Sequence, residues 1–225
     1  MWYRLARVVV RLFFRIVYRW RVYGVEHVPA TGPVLLCSNH ISLLDPPLVA
    51  APLNRRVSFM AKEQLFRIPV LNRLFRLFGA FPVRRGAVDR RSLRMALDVL
   101  ERGGLLVIFP EGTRSRTGEL LPGKPGAGLL ALQARATVIP VYIHGPFRLF
   151  RPVYVYYGPP VDLQPFWRAE PTVAEARKAT EAIMAAIRRL AEAHGQDAGR
   201  GSGVPQAPAE GTANDVRPSA WDMRK

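Results

Sequence analysis

The sequence predicts an α/β fold: a mostly parallel or mixed central sheet flanked by helices, with an amphipathic helix in front of it. Three observations carry this. Short apolar runs alternate with longer helix-periodic stretches from residue 34 to residue 194, the pattern of repeated strand–helix units. Two of the runs, VLLCS at 34–38 and LLVIF at 105–109, are apolar throughout, as strands buried on both faces are. The first 21 residues thread arginines at helical spacing through an apolar segment.

That leading segment reads MWYRLARVVVRLFFRIVYRW. Arg4, Arg7, Arg11, Arg15 and Arg19 recur every three or four residues, so a helix gathers them on one face. The other side carries Trp2, Leu5, Ala6, Val9, Leu12, Phe13, Ile16, Val17 and Trp20. A secretory signal puts its charge before the apolar run and ends in a small-residue cleavage site; this segment does neither. Spanning a bilayer is disfavoured, because an arginine near the centre costs about 2.5–3.5 kcal/mol. The expectation is an interfacial helix over 1–22, apolar face in the acyl boundary and guanidinium groups on anionic head groups. The alternative is a helix packed on its own domain, its arginine stems snorkelling.

A turn-rich connector, VYGVEHVPATGP, follows. The domain expected over 23–195 takes strands at Val34–Ser38, Val57–Ala61, Ala80–Val83, Leu105–Phe109, Val138–Ile143 and Val153–Tyr157. Its helices are expected at Pro46–Ala51, Gln64–Phe78, Asp89–Arg102, Gly126–Arg135 and Thr172–His194. From Gly195 the chain turns to Gly, Ala, Pro, Gln and Ser without periodicity, which predicts a flexible tail over 196–225.

Charge narrows the function. The 225 residues hold 33 Lys and Arg against 17 Asp and Glu, a net +16. Nearly all the excess lies in 1–21 and 54–94. So basic a chain meets something anionic: nucleic acid, a membrane surface or a phosphorylated substrate. A nucleic-acid binder interleaves aromatic with basic residues on an open face. In 64–78, Leu65, Phe66, Ile68, Leu71, Leu74, Phe75 and Phe78 instead fall at helical spacing, so nucleic acid is not expected. The single cysteine, Cys37, excludes an intramolecular disulfide framework and reads as a small buried hydrophobe. Neither zinc-ligand spacing nor a glycine-rich nucleotide loop occurs.

Two motifs carry chemistry. The first, Asn39-His40 through Asp45-Pro46-Pro47, sits at the carboxyl end of a buried strand, where open α/β sheets bind ligands. Asp45 before Pro46 looks like an N-cap with proline at the first helical position. That leaves His40 on the strand-to-helix loop, within reach of Asp45 if the loop folds back. Histidine is a natural general base, and a carboxylate on its far nitrogen fixes the tautomer, a base-plus-orienter pair without a serine nucleophile. The other reading is a structural histidine with a capping aspartate. The second motif, Phe109-Pro110-Glu111-Gly112-Thr113-Arg114-Ser115-Arg116, follows LLVIF. Gly112 allows positive φ and lets backbone N–H groups face an anion, and Arg114 can hold a phosphate bidentately. Alone it reads equally as a charged surface turn.

Together, the NHxxxxD and FPEGTR motifs resemble the glycerolipid acyltransferase family, over roughly residues 23–165. Two weaker family blocks stand in the same order. Gly79-Ala80-Phe81-Pro82-Val83-Arg84-Arg85 resembles the family's GxxFxxR, with Arg85 at its arginine. Val138-Ile139-Pro140-Val141 resembles its proline-centred strand. The resemblance implies an O-acyltransferase of the lysophosphatidate type. His40 takes the proton of an acceptor hydroxyl as it attacks an acyl thioester, Asp45 orients His40, and no acyl-enzyme forms. Glu111, Gly112, Thr113 and Arg114, with Arg85 and Lys124, would hold the acceptor phosphate; Lys62 is a further candidate. No metal or bound cofactor is implied; acyl-CoA or acyl carrier protein is a cosubstrate. The expected partners are that donor, a lysophospholipid acceptor and an anionic membrane surface, with the protein peripheral or monotopic on the cytoplasmic face of the cell membrane. Within the family, another lysophospholipid or glycerol 3-phosphate is the alternative acceptor.

Overall fold

In the computed structural model, β2 (Val34–Ser38) lies between β5 (Leu105–Ile108) and β6 (Thr137–His144), parallel to both. The structure describes residues 2–69, 72–73, 79–83, 90–168 and 170–195. On one side of this centre come β3 (Val57–Lys62) and β4 (Ala80–Val83); on the other, β7 (Tyr154–Tyr157) and β1 (Arg21–Tyr23). The seven-stranded order is β1-β7-β6-β2-β5-β3-β4. Every neighbouring pair is parallel except β6 and β7, so the sheet is mixed, as the sequence predicts.

Both faces of the central strands are buried, which explains their unbroken hydrophobicity. Alternate side chains point to opposite sides. Val34 and Leu36 join Leu48 and Val49 of α2 (Asp45–Ala50) and Phe14 of α1 (Trp2–Val17). Leu35 and Cys37 join the other layer, with Ala96 and Leu100 of α3 (Arg90–Glu101), Ala131 of α4 (Gly126–Gln133) and Ile183 and Ile187 of α5 (Val173–His194). Burial drives the Cys37 thiol well above its ordinary range, so it packs as a hydrophobe. Helix α5 starts where its sequence signals: Thr172 and Glu175 form a reciprocal capping box.

The structure departs from expectation in four places. β1 occupies the start of the connector; three residues on a sheet edge are too few to show periodicity. Within the helix expected at 64–78, residues Glu63–Arg67 form a 3-10 turn, 72–73 are helical, and 70–71 and 74–78 lie outside the described residues, as does the tail 196–225. Asp45 opens α2 rather than capping it from outside, because its carboxylate turns back into the preceding loop.

The fourth departure is in α1. Its arginines do not share one outward face. Arg7 donates to the Leu53 carbonyl at 2.7 Å, and Arg11 to those of Ala51 at 2.6 Å and Pro52 at 2.9 Å. These carbonyls follow the carboxyl end of α2, which leaves acceptors unsatisfied and favours cations. Phe14 and Tyr18 continue the same inward line and are buried. Meanwhile Leu5, Val8, Val9, Leu12, Phe13 and Ile16 are exposed. No helix among the described residues is long and apolar enough to cross a membrane.

Candidate active site

The parallel register sets Cys37 beside Ile108. The loops that leave β2 and β5 therefore start side by side at the carboxyl ends of the central strands, although they lie far apart in sequence. Each is then tied to the other. The His40 amide donates to Glu111 Oε1 at 3.2 Å, and the Ser115 amide donates to the His40 carbonyl at 2.8 Å. Both backbone groups of His40 are thus held by the second motif.

Its side chain is held as closely. His40 Nδ1 lies 2.8 Å from Asp45 Oδ2. The same oxygen accepts the amides of Ile41 at 2.7 Å and Ser42 at 2.8 Å. An oxygen taking two amide protons acts as an acceptor toward the ring too, so Nδ1 carries the hydrogen and Nε2 is left as the proton acceptor. The Phe109 ring stacks on the imidazole at a centroid distance of 4.0 Å and 21°, which fixes its plane. Asp45 is wholly buried and His40 nearly so.

Glu111 is 2% exposed. Burial pushes its carboxyl up to about 7, the Asp45 charge adds to that, and amides of His40 and Leu121 pull the other way. Its Oε2 is buried with no hydrogen-bond partner among the described residues. The geometry gives Glu111 a contact that the sequence does not assign: it accepts the backbone amide of the histidine.

Gly112, Thr113 and Arg114 are exposed on the following loop, and so is Lys124. Gly112 holds φ +68, a left-handed conformation that costs a side-chain-bearing residue. A Cβ there would also sit 3.0 Å from Lys124 Nζ. The glycine therefore lets the lysine ammonium lie against the loop that carries Arg114. The Lys124 amide, bonded to the Pro110 carbonyl at 2.8 Å, keeps it there. Such an arrangement can accept a proton at Nε2, and the loop that clamps His40 carries an exposed cation, Arg114, that can hold an anion. Arg84, Arg85 and the side chain of Lys62 lie outside the described residues.

The profile of the Acyltransferase family matches residues 19–144. The chain belongs to this family. It is 32% identical over 133 residues to a chloroplastic 1-acyl-sn-glycerol-3-phosphate acyltransferase of Brassica napus, covering 57% of this chain and 38% of that protein. It is 29% identical over 158 residues to the enzyme of that name in Borreliella burgdorferi, covering 63% of this chain and 61% of the relative. The chain thus spans between about a third and two thirds of the length of these relatives. Among solved structures, it resembles the 1-acyl-sn-glycerophosphate acyltransferase PlsC of Thermotoga maritima, with a TM-score of 0.62 and 28% identity over 85% of this chain and 77% of that one.

Three residues of this family member's site carry roles that sequence reading does not assign. The Asn39 amide bonds like a peptide group to β6, donating to the Ile143 carbonyl at 2.9 Å and accepting the Ile143 amide at 2.7 Å. It extends the sheet beyond β2 to the residue before His40. Phe109 supports the imidazole, and Ser115 grips the His40 carbonyl. Their place inside the two motifs is the one sequence signal that points to them.

Proposed function

We propose that this chain transfers a fatty acyl group from acyl-CoA or acyl carrier protein to the free sn-2 hydroxyl of lysophosphatidic acid, giving phosphatidic acid. His40 Nε2 accepts the hydroxyl proton as the oxygen attacks the thioester carbonyl. The tetrahedral intermediate collapses, the carbon–sulfur bond breaks, and the departing thiolate takes the proton from His40. An ester and a free thiol result, with no acyl-enzyme. Asp45 holds the tautomer and stabilises the imidazolium. Arg114 and Lys124, with Arg85, hold the acceptor phosphate. No metal or bound cofactor enters these steps.

The observation that carries the reading is the buried His40–Asp45 pair, clamped by the loop that presents Arg114, in a chain of the Acyltransferase family. The names of its relatives favour lysophosphatidate as acceptor. We place the protein on the cytoplasmic face of the cell membrane; the exposed apolar stripe of α1 supports attachment to a bilayer without spanning it.

The test is a transfer assay with labelled acyl-CoA and acyl carrier protein against lysophosphatidate, other lysophospholipids and glycerol 3-phosphate. Lysophosphatidate should give the highest kcat/KM. Arg114→Ala should chiefly raise its KM, and Arg114→Lys should rescue only in part, because lysine cannot form the bidentate fork. Preference for an acceptor without a phosphomonoester would overturn the reading.

A further inference from the structure

We propose that the turn 148–151, between β6 and β7, is a second lipid-inserting element. Together with α1 it holds the active-site end of the sheet against an anionic bilayer. The proposal rests on the reading that α1 lies on a membrane.

Topology places the turn where it matters. β6 runs parallel to β2, so the chain leaves β6 at the same end of the sheet as the His40 and Glu111 loops. Ile143, next to last in β6, is the residue bonded to Asn39. The turn is therefore braced to the base of the catalytic loop.

Its chemistry is unlike that of an ordinary loop tip. Arg151 N–H closes on the Arg148 carbonyl at 3.1 Å, leaving Leu149 and Phe150 at the apex, 66% and 64% exposed. Turn tips favour Gly, Asn, Asp and Ser. Phe150 moreover holds φ +60, a conformation that glycine adopts freely and a bulky side chain does not. A strained, apolar and exposed residue is costly in water, so the environment that repays it is sought elsewhere.

The tip is bolted to α1. The Phe150 amide donates to the Val17 carbonyl at 2.7 Å, the Val153 amide donates to that of Tyr18 at 3.1 Å, and Phe147 packs edge-on against the Tyr18 ring at 5.8 Å. The backbone bond thus sets Phe150 beside Val17, the residue after the exposed stripe from Leu5 to Ile16. Exposed Arg15, Arg19, Arg148 and Arg151 accompany it. Neither residues 1–25 nor 136–161 contain an acid. An apolar patch this long marks an interaction surface, and its cationic border selects an anionic lipid surface, where each basic group adds to attraction. Leu43, on the His40 loop, is exposed as well.

Two measurements on the full chain test this, using vesicles of phosphatidylcholine and phosphatidylglycerol. Cys37 is buried, so a Leu149→Cys variant takes an environment-sensitive fluorophore at position 149 alone. On vesicle binding the probe should shift to the blue and be quenched by lipids spin-labelled in the upper acyl chain. Leu149→Ser with Phe150→Gly should weaken vesicle binding about a hundredfold, since two apolar side chains leave the lipid. Glycine suits the backbone at 150, so the melting temperature should not fall. Transfer to bilayer acceptor should drop more than transfer to a short-chain soluble one. A bound protein whose probe still reports water would overturn the turn's role and leave that of α1 standing. Failure of the parent protein to bind would overturn both. A lipid-free dimer that the double variant converts to monomer would assign the patch to a second copy instead.

Discussion

Two regions of this molecule invert the usual distribution of polar and apolar groups, in opposite senses. Around His40, polar side chains are inside: Asn39, His40, Asp45 and Glu111 are all buried. Along α1 and the turn after β6, large apolar side chains are outside. Helix α5 is the control. It buries Ala176, Ala179, Ile183 and Ile187 and shows its charges to solvent, as an amphipathic helix on a core does. Burying polar groups is unfavourable unless each finds a partner, and Asn39, His40 and one oxygen of Asp45 have theirs. Among the described residues the exposed apolar side chains keep much of their surface uncovered, although Phe13 packs edge-on against Phe14 and Tyr18. Asp45 Oδ1 and Glu111 Oε2 apart, the first inversion is met by partners within the chain, whereas the second calls for something outside it.

The largest effect comes from breaking the buried inversion. His40→Ala should lower kcat by about a hundredfold to ten-thousandfold, the range of a positioned general base, and Asp45→Asn should lower kcat far more than either KM. Steady-state rates on a short-chain soluble acceptor check this without involving the membrane. Near-normal turnover of the alanine variant would remove the proton-transfer role and leave a structural histidine.

How far the sequence reaches follows from the same contrast. The central strands are legible because both faces of the sheet are covered, which makes Val34–Ser38 and Leu105–Ile108 apolar without a break. The pairing of His40 with Asp45 is legible because the loop between them is short, and the amides of Ile41 and Ser42 fold it back onto the carboxylate. β1 is not legible, since its three residues are a strand only through β7. The clamps on Asn39 and His40 join residues 71 to 104 positions apart, and no local pattern encodes them. Periodicity shows that α1 has two faces; it does not say which one the domain covers. The carboxyl end of α2 decides that, by offering carbonyls that Arg7 and Arg11 can reach.

Matched substitutions in the two helices sharpen this. Ile187 in α5 is fully buried and Ile16 in α1 is 58% exposed. Ile187→Ala should cost about 2–5 kcal/mol of unfolding free energy, as core truncations do. Ile16→Ala should stay within about 0.5 kcal/mol in lipid-free buffer. Urea denaturation measures both. Equal losses would mean that the α1 stripe packs on the domain in solution, and the contrast between the helices would collapse.

The last effect concerns Glu111, and it changes size with pH. Its carboxyl ordinarily titrates near 4.5 and is raised to about 7 in the fold, first by burial. A raised acid favours the folded state only while protonated. That contribution is complete below about 4.5 and is lost as pH rises through about 7, where a buried charge must be carried. The full span corresponds to about 3 kcal/mol. Glutamine cannot ionise, yet it keeps an oxygen to accept the His40 amide. Glu111→Gln should therefore match the parent protein near pH 4.5 and exceed it in stability at pH 8, as read from denaturation midpoints across that range. The same variant should keep much of its turnover and its acceptor KM, whereas Glu111→Ala, which removes the acceptor, should lower kcat. A stability difference that does not vary with pH would remove the buried-acid reading, and a Glu111→Gln variant that loses acceptor affinity alone would assign Glu111 to the acceptor phosphate as the sequence resemblance implies.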